Sequence, residues 1–354
     1  MRFEHETLAQ RVCFAPGDAS AAVRAEVERL GGSRAMVIAA RSEAGLAEKV
    51  TAQVPVVVRH DEVVMHVPVA SAERARATAA THEVDLLVSV GGGSTTGLAK
   101  AIALTSGLPI VAVPTTYAGS EATSVWGLTE GARKTTGVDA RVLPRSIVYD
   151  ATLTLSLPVA MSVASGLNAL AHCVDSLWAP RTDPVDQALA GEGIRALASG
   201  LPAVVTDPTG LEGRERVLYG AYLSAVAFSS AGSGLHHKIC HVLGGAYDLP
   251  HAQTHAIVLP YVLAFNAPAA PEAEHRIAEA FGAASAVDGL QRLRRAVDAP
   301  KALRDYGFDE ADIDDAVRAI LEVVPANNPR AVARHDLRRL LRAAWQGADP
   351  SSQQ

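Results

Sequence analysis

The sequence predicts two domains, an α/β domain built on a largely parallel sheet and an all-α domain after it. Three observations carry this expectation. Over the first half of the chain, short apolar runs alternate with stretches of helical pattern, which is the signature of a layered α/β domain. After residue 155 strand-like runs become scarce and helical spacing takes over. The chain has 354 residues, the length of about two domains of roughly 150 residues, each able to bury a core. The boundary implied is an α/β domain over residues 1–156 and a helical domain over residues 157–354.

Residues 35–40, 54–58, 85–90, 109–113 and 146–149 read as strands. Most are continuous apolar runs rather than alternating ones, as befits strands covered on both faces of a parallel sheet. Residues 70–81 and 96–104 suit helices between them. In the second half, residues 161–178, 186–198, 212–229, 236–246, 271–281 and 311–323 space their apolar groups helically. Pro158, Pro180, Pro184, Pro202 and Pro208 fall at expected helix boundaries, since proline lacks the N–H that a helix interior needs. The tail from Asp349 onward is expected to fray.

Composition narrows the class. Lys plus Arg is 32 and Asp plus Glu is 38, for a net charge of −6. A nucleic-acid binder would need a basic footprint instead. Charged residues make up 20% and apolar ones 49%, which argues against disorder. No apolar run comes near the ~18 residues of a membrane span, and the N-terminal MRFEHETLAQR has no apolar core of a signal peptide. Cys13, Cys173 and Cys240 lie far apart, so neither a disulfide framework nor a CxxC metal clip is read. The expectation is a soluble cytoplasmic protein that binds neither nucleic acid nor membrane.

The run at residues 85–90 leads straight into Gly91-Gly92-Gly93-Ser94-Thr95-Thr96 and then into a helical stretch. Strand, glycine loop and helix start together make a phosphate site: glycines let the backbone approach an anion, and free N–H groups of the first helical turn point at it. The loop is neither GxGxxG nor a Walker A motif. A tight turn alone would explain one glycine, whereas three in succession favour phosphate. A second junction, Pro114-Thr115-Thr116-Tyr117-Ala118-Gly119-Ser120-Glu121, follows the next strand. Strand ends of this kind converge on one crevice in open α/β sheets. Gly91, Gly92, Gly93, Ser94, Thr95, Thr115, Thr116, Ser120 and Lys134 are therefore the candidate dinucleotide-binding residues, with Lys134 equally readable as a solvated surface lysine. No acid stands at the end of the 35–40 run; Arg41 and Ser42 follow it. An acid there reads the adenosine ribose and repels a 2′-phosphate, so NADPH is expected to be tolerated alongside NADH.

The chain holds 12 histidines, and His236, His237, His241, His251 and His255 fall within twenty residues, where a uniform spread would place fewer than one. Imidazole is the usual acid–base group near neutral pH and the commonest metal ligand. Asn168 and His172 stand four apart, as do His237 and His241, a spacing that puts each pair on one helix face.

These motifs carry a resemblance. Gly91-Gly92-Gly93-Ser94, Pro114-Thr115-Thr116, Gly119-Ser120-Glu121, Asn168-Ala169-Leu170-Ala171-His172 and the segment from His237 through Pro250-His251 resemble the iron-containing alcohol dehydrogenase family, in its maleylacetate reductase branch, from near residue 10 to about residue 345. The resemblance implies that family's fold, which is also dehydroquinate synthase-like, with NAD(P) on the first domain, and a homodimer. It also implies a metal set of Asp, His, His and His, whose places here hold Asn168, His172, His237 and His251. Asn offers a neutral carbonyl where the family has a carboxylate, so Fe²⁺ is expected to bind poorly, Zn²⁺ stays open to three-His ligation, and a site that works without tightly bound metal is favoured. The implied reaction is NAD(P)H-dependent reduction of the conjugated C=C bond of maleylacetate, a dicarboxylate, to 3-oxoadipate in aromatic-compound degradation. His172, His237, His241 and His251 are the candidate catalytic residues, expected to act as protonated donors. Lys238, Tyr117, Tyr247 and Arg330 are candidate carboxylate contacts. The competing reading is a metal-dependent alcohol or polyol dehydrogenase of the same fold, which Asn168 disfavours. A dehydroquinate synthase-type lyase would need more lysines than the helical half supplies.

Overall fold

The computed structural model describes residues 2–131 and 133–350, without the side chains of Arg133 and Lys134. The chain divides into two compact units, one over Thr7–Leu157 and one taking in the chain from Pro158 onward together with the segment before Thr7.

The first unit holds eight strands: β1 (Arg11–Phe14), β2 (Ala35–Ile38), β3 (Val56–His60), β4 (Leu86–Gly91), β5 (Ile110–Pro114), β6 (Val125–Glu130), β7 (Arg133–Val138) and β8 (Ser146–Tyr149). Six form one parallel sheet in the order β1-β8-β5-β4-β2-β3. Helices α1 (Ala19–Arg29), α2 (Ala44–Val50), α3 (Val69–Thr81) and α4 (Gly93–Ser106) complete the unit. Successive strand residues face opposite sides, and both sides are covered. Val37, Val88, Val111 and Val148 pack with Val23 and Val27 of α1 and Val50 of α2. Met36, Ile38, Leu87 and Ile110 pack with Ala72, Ala75 and Ala79 of α3 and Leu98 and Ile102 of α4. That two-sided burial is why the strands read as unbroken apolar runs.

Two features of this unit escaped the sequence reading. Strand β1 has only four residues and sits at the sheet edge. The antiparallel pair β6–β7 lies where no element was read. Its start is tied to α4 by Lys100, whose fully buried ammonium donates to the Thr123 and Val125 carbonyls, each at 2.8 Å. Burial lowers the pKa of Lys100 to about 7, with Glu121 opposing the shift.

The second unit is helical: α5 (Val159–Ser176), α6 (Pro184–Thr206), α7 (Leu211–Ala231), α8 (Leu235–Tyr247), α9 (His251–Asn266), α10 (Pro271–Phe281), α11 (Ala286–Ala296), α12 (Ile313–Leu321) and α13 (Arg334–Gln346). Helix α5 is buried at every position from Ser162 to Ser176, so it is enclosed on all sides, polar residues included. It packs against α6, α7, α8 and α9. A second core joins Leu235, Ile239 and Leu243 of α8 with Ile257 and Val262 of α9, Val317 and Ile320 of α12, and Leu337 and Leu341 of α13.

Three expectations need correction. Helix α9 opens at His251, where no helix was read; Pro250 stands at its N-cap and permits the helix to start there. Pro202 lies inside α6 rather than at its end. By length and composition α6 is also apolar enough to cross a membrane, with mean hydropathy 1.2. Its apolar face (Ala190, Ile194, Leu197, Leu201) is instead buried within the unit, where α6 packs on α5 and α7. Of the tail expected to fray, residues 351–354 lie outside the described residues.

Candidate active site

In the α/β unit the glycine loop forms at the carboxyl ends of adjacent strands. Gly91 ends β4 opposite Pro114 of β5. Its φ of +151° lies in a region that side chains with a Cβ avoid. A Cβ there would also meet Thr95 Oγ1, and Glu43 Oε2 at 2.6 Å. Gly92 caps α4 without a side-chain hydrogen bond, and α4 begins at Gly93. The first-turn N–H groups of Gly93, Ser94 and Thr95 thus lack a side-chain cap, which suits an anion. Thr116 packs over Gly92, where a Cβ would approach it at 3.0 Å. These features fit the phosphates of a dinucleotide.

Gly91, Gly92, Gly93, Ser94, Thr95, Thr115 and Thr116 lie together at the ends of β4 and β5. Ser120 sits further on, opening a 3-10 turn whose carbonyl accepts from Thr123. Glu121 in the same turn is buried and accepts from the Tyr149 hydroxyl at 2.8 Å, and burial raises its pKa. Lys134 lies on β7 with its side chain outside the described residues.

The absent acid at the end of β2 proves to be present one turn later. Residues Arg41–Glu43 form a 3-10 turn after that strand, and Glu43 turns back across the strand ends to accept from Thr115 Oγ1 at 2.5 Å. Arg41 points elsewhere and pairs with Asp61 at 3.0 Å.

In the helical unit, α5, α8 and α9 bring six imidazoles together. The rings of His172 and His237 stack at 5.0 Å between centroids, and Phe228 lies 4.8 and 4.3 Å from them. His237 is 4.9 Å from His255 and 6.0 Å from His241. His251 is 4.3 Å from His255 and 6.5 Å from His241. All four candidate catalytic histidines belong to this one cluster. His172 and His237 are buried, while His241 and His251 are half-buried.

The residue that organises the cluster, Asp175, was not anticipated. It lies three residues after His172 on α5 and is fully buried. Its Oδ2 accepts from the backbone N–H of Gly234 at 2.9 Å and of His237 at 3.2 Å, and meets His237 Nδ1 at 2.7 Å. Its Oδ1 accepts from Trp178 Nε1 at 3.2 Å. An ionised carboxylate only accepts, so Nδ1 of His237 carries the proton and Nε2 presents its lone pair. His237 Nε2, His172 Nδ1 and Asn168 Oδ1 are buried with no hydrogen-bond partner among the described residues. Behind them, His236 Nε2 and His255 Nδ1 share a hydrogen bond at 2.9 Å. The i,i+7 spacing from Asn168 to Asp175 and the i,i+4 spacing from His251 to His255 were the available signals for these missed residues.

Burial disfavours the protonated form of His172 and His237, against the expectation that they act as protonated donors. Burial lowers the pKa of His172 to about 4, opposed by Asp175. Burial, then the neighbouring charge of His237, lowers His236 to about 3. His237 and His255 are held well below the ordinary value by burial first and by neighbouring imidazoles second. Removing a cation from water costs more here than one carboxylate returns.

The residues at the family's metal positions suit a hard divalent metal such as Fe²⁺ poorly. Asn168 and three imidazoles supply no anionic ligand, and Asp175, the carboxylate beside them, is committed to Gly234, His237 and Trp178. Among the described residues, the His, Cys and carboxylate groups whose ligand atoms lie within 4.8 Å of one another are His236–Cys240–His255 and His5–Asp183–Asp186. The set His172, His237 and His251 is not one of them.

Three of the candidate carboxylate contacts are engaged elsewhere. Tyr117 is buried and donates to Thr154 at 3.4 Å. Tyr247 donates to the Asp312 carbonyl at 3.4 Å. Arg330 stacks over the Phe265 ring at 4.4 Å. Lys238, half-buried on α8, contributes to depressing His237.

Comparison with known proteins agrees with this geometry. Residues 9–151 match the model of iron-containing alcohol dehydrogenase, and residues 162–345 match the C-terminal model of the Fe-containing alcohol dehydrogenase family. The chain belongs to the iron-containing alcohol dehydrogenase family. It is 45% identical over 355 residues to the curated maleylacetate reductase of Pseudomonas knackmussii, covering 99% of this chain and 100% of that protein. Its fold matches the crystal structure of an iron-containing alcohol dehydrogenase from Corynebacterium glutamicum with a TM-score of 0.98 and 64% identity, over 100% of this chain and 99% of that one. It matches the crystal structure of maleylacetate reductase from Agrobacterium tumefaciens with a TM-score of 0.93 and 39% identity, over 99% and 100% of the two chains. Membership of this family makes the chain an oxidoreductase.

Two outcomes follow. Asp175→Asn no longer enforces the Nδ1–H tautomer of His237 and should lower kcat by about 100-fold or more, with the folded state checked by circular dichroism; unchanged kcat would separate Asp175 from the chemistry. The second concerns acid. Below the ordinary imidazole value of 6.5 the unfolded chain takes up protons that the folded chain refuses until about pH 4 at His172 and about pH 3 at His236. Stability is therefore complete above 6.5 and falls as pH drops through that window. Thermal melts across it should show a declining Tm; a flat Tm would mean that these rings are open to solvent.

Proposed function

We propose that this enzyme reduces the conjugated C=C bond of maleylacetate to give 3-oxoadipate, with NADH or NADPH as reductant. The observation that carries this reading is full-length similarity to maleylacetate reductases, at 45% identity to the Pseudomonas knackmussii enzyme. The uncapped α4 N-terminus and the imidazole cluster supply chemistry that suits it.

A nicotinamide held through its phosphates at the glycine loop would supply the hydride, to the alkene carbon furthest from the ketone. The electron pair displaced from the C=C bond moves onto the ketone oxygen as an enolate, and a proton must then reach the adjacent carbon. The reaction consumes one hydride and one proton. His237 and His172 stand ready for the second of these. Burial favours the neutral form of each; His237 presents the Nε2 lone pair, and His172 Nδ1 has no hydrogen-bond partner among the described residues. A dicarboxylate brought against them adds negative charge, which favours the imidazolium. Asp175 on the far nitrogen of His237 stabilises that imidazolium further, and holds the ring with Nε2 turned away from the carboxylate. Substrate binding thus recruits the proton that the reaction spends. Asn168 Oδ1 accepts from that donor array or from water. No step requires a metal as Lewis acid.

The family resemblance further supports a homodimeric cytoplasmic enzyme of aromatic-compound degradation. Purified protein should oxidise NADH with maleylacetate far faster than with simple aldehydes or ketones, and a strong chelator should leave the rate intact. Preference for alcohols or aldehydes, or loss of activity that Fe²⁺ or Zn²⁺ restores, would replace this reading with the metal-dependent dehydrogenase.

A further inference from the structure

We propose that Glu43 sets the coenzyme preference of this chain, admitting a dinucleotide whose adenosine ribose carries a free 2′-hydroxyl and disfavouring one that carries a 2′-phosphate. The inference rests on the reading that a nicotinamide dinucleotide binds at the glycine loop.

The sheet order places β2 on one side of β4 and β5 on the other. The 3-10 turn Arg41–Glu43 brings the Glu43 side chain from the end of β2 over the end of β4 and as far as Thr115 after β5. It therefore spans the three strand ends where an open α/β sheet takes its ligand. Thr115 Oγ1 fixes Oε1 at 2.5 Å, and Oε2 is left over Gly91, 2.6 Å from where a Cβ would stand. The strand beside the glycine-loop strand is where a ribose-reading acid works: it accepts from the vicinal hydroxyls and repels an added phosphate. Glu43 does this from a turn rather than from the strand's last residue. The cation that could welcome a phosphate, Arg41, is paired with Asp61 instead. Half-burial raises the Glu43 carboxyl above its ordinary value, while Thr115 favours the ionised form. At neutral pH a phosphate dianion in this crevice would meet a poorly solvated carboxylate with little screening.

The test titrates NADH and NADPH into wild-type, Glu43→Gln and Glu43→Asp proteins, following nicotinamide fluorescence, and repeats the comparison as kcat/KM with maleylacetate. The wild type should favour NADH. Glu43→Gln keeps the shape and the Thr115 contact without the charge, and should raise the NADPH-to-NADH ratio at least tenfold. Glu43→Asp withdraws the carboxylate and should move the ratio the same way by a smaller factor, which keeps the test open if one variant folds poorly. A structural role alone would weaken both coenzymes together and leave the ratio unmoved; that result, with wild-type NADH binding intact, would overturn the assignment of Glu43. A wild type that binds neither coenzyme would remove the function proposed above and this inference with it.

Discussion

A single carboxylate, Asp175, ties the chemistry of the helical unit to its fold. It is fully buried on α5 and meets two backbone N–H groups at the start of α8, the indole of Trp178 and the imidazole of His237. An ionised carboxylate without water is costly unless every lone pair is used, and here four donors use them. Gly234 is required beside it, because a Cβ there would stand 2.5 Å from Oδ1. The result is a junction that fixes the start of α8 against α5, and with it the direction in which His237 presents Nε2. Burial of a charge has been spent on orientation.

The surrounding imidazoles follow from the same economy of charge. Six rings close together cannot all be protonated, since each cation would lie near others in a poorly solvated volume. Burial favours the neutral form at His172, His236, His237 and His255, and an arriving anion would favour a proton on them. That arrangement matches a dicarboxylate better than it matches a divalent ion. Asn168 belongs to this logic: a neutral oxygen where the family has a carboxylate removes the anion that would hold a metal, and leaves an acceptor for a hydrogen-bonding ligand. In the α/β unit the charges are arranged the other way. A helix N-terminus without a side-chain cap offers positive potential, and Glu43 sets a negative limit beside it.

Legibility in the sequence divided along the range of the interactions involved. The parallel strands were readable because covering a strand on both faces demands an apolar run, which is a local property. The glycine loop was readable because backbone approach and positive φ are demands on single residues. Helix pairs such as Asn168 with His172 and His237 with His241 were readable from a four-residue spacing. Strand β1 was missed because four residues at an edge carry little pattern. The β6–β7 pair was missed because its residues alternate only weakly, and α9 because the turn before it ends in proline, which reads equally as a loop.

By itself the sequence determined an α/β half followed by a helical half, the glycine loop and the family to which the imidazoles belong, since periodicity, glycine runs and residue spacing are all written along the chain. Only the tertiary structure decided that Asp175 orients His237, that His236 and His255 back the cluster, that Glu43 reaches Thr115 over Gly91, and that the buried rings are neutral. Each of these depends on which groups from distant segments share a space that water does not enter. Desolvation and hydrogen-bond direction are set by that company, and no local pattern encodes it.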